Sequence, residues 1–486
     1  MSFLALLYLV LGVWLSVYGF NDLVLIYLYL RHGRRRPTCP SLSQYPAVTV
    51  QVPVYNERYV VQRAIDAMAN LDWPRDRLQI QVVDDSTDES ADIARRHIET
   101  HRRQGIDITH VQRTTRTGFK AGALNEATTR ARGAFIAIFD ADFVPPPGFL
   151  KQTVPHLVAS PDLGFVQARW GHLNDTFSTF ALAQAIALDG HFAIEHTARE
   201  GAGLLTNFSG TGGVWRKACI EQCGGWDAEM LTEDLDLSYR AQLAGWKGLT
   251  LPDVTAPAEL PVQIAVFKQQ QFRWAKGNTQ CLLKHTPAIL RGPLSLFARI
   301  QAILHLSYYL AHPLMLVVML ITLPLIWYGL LGRWTLTFLS LATVGPPLLY
   351  SLAQHALYPD WIRRLRALPV LVCIGMGLAL NSTTAVIEAV LGIRSAFQRT
   401  PKFRIEGRTG SWQGRPYAPS AGALVLGEIM LTIYALLTVY AALARDNAQA
   451  IPFLSLYVLG FGYVSIAGIV QSRMGRKRGT PRSPQR

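Results

Sequence analysis

The sequence predicts an α/β domain, a mostly parallel sheet with helices on both faces, inserted in an α-helical membrane protein of about five transmembrane helices plus interfacial helices. Three observations predict it. Between residues 47 and 260, short β-rich runs alternate with helical stretches. Apolar runs long enough to cross a bilayer precede that region, at 3–30, and recur after residue 300. Arginine-rich clusters at 31–36, 363–366 and 473–478 sit beside those runs, where the positive-inside rule puts cytoplasmic flanks.

Taken in order, residues 1–30 read as a transmembrane helix and 31–46 as a basic linker. A cleaved signal peptide fits less well, because the apolar run is too long and no basic segment precedes it. Residues 48–54 alternate as a strand, and 57–70 are helical. A second strand at 78–83 runs into Asp84-Asp85-Ser86, and Asp88 is placed to cap a helix reaching Arg103. Residues 108–112 form a short strand, Lys120 opens a helix, and the buried strand 134–139 runs into Asp140-Ala141-Asp142. Residues 163–170 look extended, and 207–213 form a small-residue loop. Thr232 is expected as the N-cap of a helix that Gly245 ends.

The α/β domain is expected to span 47–260, followed by interfacial amphipathic helices at 261–300. Residues 301–354 carry two transmembrane helices, 355–394 an interfacial or re-entrant helix, and 395–410 a loop facing the domain. Two further transmembrane helices at 420–471 and a basic tail at 472–486 complete the order. The apolar stretch 365–390 contains Asn381, Ser382, Thr383, Thr384 and Glu388. Treating it as re-entrant places every basic segment on the cytoplasmic side.

The 486 residues carry a formal charge of +14. That charge lies largely beside apolar runs, so it fits membrane flanks, and no nucleic-acid partner is expected. The five cysteines show neither metal nor disulfide spacing and fit a reducing cytoplasm.

In a sheet of this kind ligands bind at the carboxyl ends of the strands. The pairs Asp84/Asp85 and Asp140/Asp142 fall at that edge. Carboxylates at i and i+2 on a rigid strand end suit a divalent cation that also binds a diphosphate; alone they also suit a solvated turn. Lys120 is placed to meet phosphate charge, or is an ordinary helix-surface lysine. Asp234 is a candidate general base at a helix start, although first-turn acids also simply complement the helix dipole. Gln270, Arg273 and Trp274 bring an amide, a guanidinium and an indole within about 1.5 turns of helix. They suit an anion and a sugar ring, or a basic helix lying on a membrane.

Together, Asp84-Asp85, Asp140-Ala141-Asp142, Thr232-Glu233-Asp234 and Gln270-x-x-Arg273-Trp274 resemble the processive family-2 glycosyltransferases of the cellulose synthase superfamily. Gln51-Val52-Pro53-Val54-Tyr55-Asn56-Glu57, Gly118-Phe119-Lys120-Ala121-Gly122-Ala123-Leu124 and Phe139-Asp140-Ala141-Asp142-Phe143 look most like its glucomannan- and glucan-synthase-like branch. The resemblance covers roughly 45–405. It implies a GT-A fold and inverting transfer from UDP-glucose or GDP-mannose with Mg²⁺ or Mn²⁺. By resemblance, Asp84, Asp85, Lys120, Asp140, Gln270, Arg273, Thr400 and Lys402 would contact the nucleotide. Asp140 and Asp142 would hold the metal. Asp234, with Glu233 and Thr232, would form the catalytic motif. Trp274, Phe208, Ser209, Gly210 and Thr211 would meet the acceptor.

Phe397-x-x-Thr400-Pro401-Lys402 resembles the family's gating loop, with Arg399 in place of a usual valine. Ser209 stands where cysteine is common. No second-messenger-binding domain is expected after the last span, and so no such regulation. The expected product is a growing β-linked hexose polysaccharide passed through the plasma or inner membrane from a cytoplasmic catalytic domain, with or without accessory subunits. A non-processive ceramide- or diacylglycerol-type glycosyltransferase is the alternative. A transporter or nucleotide-binding scaffold without chemistry fits the acidic set poorly.

Overall fold

The computed structural model describes residues 3–33, 37–330, 343–395, 399–415, 417, 422 and 424–476. One seven-stranded sheet holds β1 (Val48–Val54), β2 (Leu78–Asp84), β3 (Ile108–Gln112), β4 (Phe135–Ile138), β5 (Leu163–His172), β6 (Gly213–Arg216) and β7 (Lys247–Ala258). Their order is β3-β2-β1-β4-β6-β5-β7. β1 runs parallel to β2 and β4, β2 to β3, and β5 to β7, whereas β6 is antiparallel to both β4 and β5. The sheet is therefore mixed and mainly parallel. Sequence reading missed β6 and β7. The first has four residues, too few for a periodic signal, and the second carries Pro252 and Pro257. Those prolines are tolerated because β7 is an edge strand.

Burial alternates across the sheet with the period of the pleat. On β4, Phe135 and Ala137 join one core, and Ile136 and Ile138 join the other. The first core packs Val50 and Val52 against Ile65 and Met68 of α1 (Val61–Ala69), Ile98 of α2 (Ser90–Arg103) and Phe149 of the helix Phe149–Ala159. The second packs Phe165 and Trp215 against Leu124 of the helix Phe119–Thr129 and Leu237 of the helix Glu233–Leu243. Helices thus cover both faces, as expected. Asp88 accepts a hydrogen bond from the Ser90 N–H at 2.9 Å and closes the start of α2.

Among the described residues, four helical stretches are long and apolar enough to cross a membrane: Phe3–His32, Leu296–Trp327, Leu424–Ala444 and Ala448–Met474. A fifth arises if Trp361–Gly377 and Ala379–Val390, bent by 42°, count as one span. The second span expected within 301–354 falls partly on 331–342, outside the described residues, and its described part belongs to the 13-residue helix Gly345–Leu357. Between the sheet and these helices runs the 28-residue helix Ile264–Arg291, which carries Gln270, Arg273 and Trp274.

Candidate active site

β1, β2 and β4 run parallel, so their carboxyl ends open on one edge. There Asp85 forms a two-pronged ion pair with Arg113, whose Nε lies 2.6 Å from its Oδ1. Arg113 also donates to the carbonyls of Thr117 and Phe119 at 2.9 Å and so holds the turn before Lys120. Arg116 lies over the Tyr55 ring, 3.4 Å from its centroid, and both line the cleft. Asp84 does not face that cleft, contrary to its expected nucleotide contact. It is fully buried, with one carboxylate oxygen 2.8 Å from His110 Nε2 and the other accepting from the Ser86 N–H at 2.8 Å. A charge in that position must spend its lone pairs on the protein, so Asp84 shapes the loop and leaves Asp85 to the ligand side.

Asp140 and Asp142 follow β4. Lys120 Nζ lies 2.6 Å from Asp140 Oδ1, 3.0 Å from the Gly210 carbonyl and 4.0 Å from Glu233. Burial works against the Lys120 charge, but the Asp140 and Glu233 carboxylates outweigh it and raise its pKa. Gly210 has φ +81°, and a Cβ there would sit 3.0 Å from Asp234 Oδ2. Glycine therefore lets the 207–213 loop approach the Asp234 carboxylate. Thr211 accepts from the Asp140 N–H at 2.9 Å and is buried, so it aims Asp140 and does not line the cavity. Phe208 also departs from its expected role. Its ring is fully buried against Phe165 and Trp215, where an apolar side chain is stabilised by burial. Ser209 and Gly210 do line the cleft.

Glu233 and Asp234 open α3 (Glu233–Leu243). Burial first, then the like charge of Glu233, pushes the Asp234 carboxyl up to about 7; burial raises Glu233 as well. Thr232 stands at the N-cap of α3, as expected, but its side chain makes no cap hydrogen bond. Its side chain meets Gly277, which leaves no room for a Cβ, and its hydroxyl lies 3.6 Å from Cys281 Sγ. α3 is clamped to the helix Ile264–Arg291 through Asp236, which contacts His285 at 2.9 Å and Lys284 at 2.6 Å. Although burial opposes its charge, those partners and Arg240 hold the Asp236 carboxyl down at about 2. This clamp brings Gln270, Arg273 and Trp274 to the same cavity as Asp234. Trp274 lies 6.5 Å from Trp170, whose indole N–H donates to the Thr211 carbonyl at 3.2 Å.

Thr400 and Lys402 also reach the cavity. Lys402 Nζ is 2.6 Å from Asp142 Oδ2 and donates to the Glu259 carbonyl. Arg399 pairs with Glu57 at 3.0 Å and covers the Tyr417 ring, which gives the unusual arginine a place. Burial, opposed by Arg399, pushes Glu57 up to about 7. Phe397 lies outside the described residues. Asp140 and Asp142 thus each hold an ammonium group, and their oxygen donors suit Mg²⁺ or Mn²⁺. The residues fit such an ion provided Lys402 yields its place on Asp142.

The cavity measures about 490 Å³ and runs from Asp85 and Arg116 past Asp234 and Trp274 to Tyr308, Tyr350 and Ile374 among the apolar helices. Sequence reasoning missed Arg113, Gln167, Trp170 and Glu259. Gln167 holds the 207–213 loop, accepting from the Ser209 N–H at 2.8 Å, and Glu259 accepts from the Phe403 N–H at 2.8 Å. None lies in a motif; each acts across a long sequence separation.

Residues 46–277 match the model of a family described as glycosyltransferase like family 2. A probable glucomannan 4-beta-mannosyltransferase 7 of Oryza sativa subsp. japonica is 42% identical over 246 residues, 50% of this chain and 42% of the relative. Glucomannan 4-beta-mannosyltransferase 7 of Arabidopsis thaliana is 37% identical over 308 residues, 60% of this chain and 55% of the relative. The chain therefore spans about half the length of these curated relatives. The solved mannosyltransferase PcManGT from Pyrobaculum calidifontis, in complex with GDP-Man and Mn²⁺, is 23% identical with a TM-score of 0.55. That alignment covers 80% of this chain and 100% of the archaeal one, and it shares the fold. Residues 46–277 are accordingly a family-2 glycosyltransferase domain of GT-A fold, similar to the glucomannan synthases of the cellulose synthase-like group.

Proposed function

We propose that the protein is an inverting, processive hexosyltransferase that extends a β-linked mannan or glucomannan from GDP-mannose, with UDP-glucose as the second donor. One observation carries this reading: the raised Asp234 carboxyl, Lys120–Asp140 and Trp274 share a cavity that continues among apolar helices. The names of the plant relatives, and the GDP-Man and Mn²⁺ bound to the archaeal mannosyltransferase, favour mannose.

In the reaction the acceptor hydroxyl oxygen attacks the anomeric carbon of the donor. The new C–O bond forms as the bond to the nucleoside diphosphate breaks, and Asp234 takes the hydroxyl proton. Trp274 and Trp170 offer aromatic faces to the terminal sugar. Arg273 and Lys120 oppose charge gathering on the departing diphosphate. A divalent ion on Asp140 and Asp142, when bound, neutralises the same charge. The catalytic domain faces the cytoplasm, and the polymer leaves through the membrane helices.

Membrane vesicles given labelled GDP-mannose or UDP-glucose test the proposal. The expected product is polymer that endo-β-mannanase degrades. A discrete lipid-mobile product would favour the glycolipid reading, and transfer from neither donor would overturn both.

A further inference from the structure

Away from the catalytic edge, α1 and α2 pack side by side on one face of the sheet. His97 and His101 stand four residues apart on α2, one above the other on a single helix face. Both direct Nε2 at the same oxygen of Asp66 on α1, at 2.7 and 2.8 Å. The rings meet edge to face at 5.1 Å. The three ligand atoms lie within 4.8 Å of one another, and among the described residues this is the one such group of His, Cys, Asp or Glu.

The surroundings leave the triad available. Neighbouring α2 arginines are drawn to carboxylates on their own helix: Arg95 to Asp92 at 2.5 Å, and Arg103 to Glu99 at 3.3 Å. The Asp66 side chain is 48% exposed, which leaves room for water to complete a coordination sphere. Two imidazoles and one carboxylate are the donors that Zn²⁺ prefers, and histidines at i and i+4 on a helix are a recurrent zinc pair. The all-oxygen Asp140/Asp142 pair suits a harder ion.

We propose that Asp66, His97 and His101 form a second metal site, selective for Zn²⁺ over Mg²⁺, that staples α1 to α2. Its consequence is structural. α1 follows the loop that carries Tyr55 and Glu57, and α2 follows the loop that carries Asp85; all three side chains line the cleft. A metal staple sets the spacing of the two helices behind those loops.

The test uses the full chain in detergent, with any affinity tag removed, stripped with chelator and held in excess Mg²⁺. Zinc titration by calorimetry should show one more bound ion in the wild type than in a His97→Gln/His101→Gln variant. Asp66→Asn should weaken zinc binding by more than about tenfold, since losing even an outer partner of a ligand costs roughly 10–100-fold. Zinc should raise the melting temperature of the wild type and leave that of the double variant unchanged. Co²⁺ should give the visible d–d absorption of a four- or five-coordinate ion on the wild type, a readout that needs no variant. Equal zinc stoichiometry in the wild type and a folded double variant would show a hydrogen-bonded triad only and overturn the site, as would the absence of that cobalt spectrum. Failure of sugar transfer with zinc uptake intact would touch the enzyme reading and leave this one standing.

Discussion

At the scale of single residues, Asp234 concentrates the chemistry. Its carboxyl sits near 7, against a usual 3.8, chiefly through burial. Only the carboxylate accepts a proton, so kcat/KM should fall roughly tenfold per pH unit below about 7. Asp234→Asn should lower kcat by about 10²–10⁴-fold while nucleotide binding, read by calorimetry, persists. Stability should move the other way. The folded state holds this proton more tightly than the unfolded state, so the group's contribution is fully present below about 4 and is lost as pH rises through about 7. The Asn variant is therefore expected to melt above the wild type at pH about 8. A lower melting point there would contradict the burial account.

At the scale of elements, the helix Ile264–Arg291 joins the domain to the apolar helices. Gly277 touches Thr232 with no space for a side chain, so this glycine sets how closely the helix approaches the start of α3. Gly277→Ala should cost about 1–3 kcal/mol through overpacking. Because the shift moves Arg273 and Trp274 together away from Asp234, acceptor KM should rise and kcat should fall. One residue earlier, the buried Lys276 pairs with Glu388 at 2.6 Å. Glu388→Gln takes the carboxylate from a buried ammonium that keeps the Ser395 hydroxyl as partner, and should destabilise by up to about 3–5 kcal/mol, read as detergent thermal unfolding. Lys276→Met should cost less, because Glu388 is 26% exposed and can turn to water. The reverse ranking would mean that the pair is not the connection it resembles.

At the scale of the whole molecule, apolar helices long enough to cross a membrane and the sheet share one cavity, so topology and chemistry stand together. On the proposed topology, the linker at 31–46 lies on the cytoplasmic side with the domain. Cys39 is exposed there, whereas Cys219 and Cys281 are buried. A membrane-impermeant maleimide should label Cys39 in inverted vesicles and spare it in sealed right-side-out ones. Labelling from the opposite side would reverse the orientation. The segment after Arg399 returns from the apolar helices to the site, where Lys402 occupies Asp142. Lys402→Gln should therefore raise Mn²⁺ affinity in the nucleotide-free protein, measured by electron paramagnetic resonance, even as turnover falls.

Much of this was readable along the chain, because strands, caps and acidic turns are local. The runs read as 48–54 and 108–112 are β1 and β3, and Asp88, one residue before the N-cap Glu89, accepts from the Ser90 N–H at the start of α2. Asp85, Asp140, Asp142, Asp234 and Trp274 were singled out by motif, and all line one cavity. Direction and partnership were not local. A motif names Asp84 and Phe208, but only packing turns the first toward His110 and the second into the core. Arg113, Gln167 and Glu259 carry no signature, since their work lies in contacts across 28, 42 and 144 residues. Local sequence determines which groups lie near a strand end or helix start. Which of them face the ligand depends on how buried charge and polar groups find partners, and that is decided when distant segments pack together.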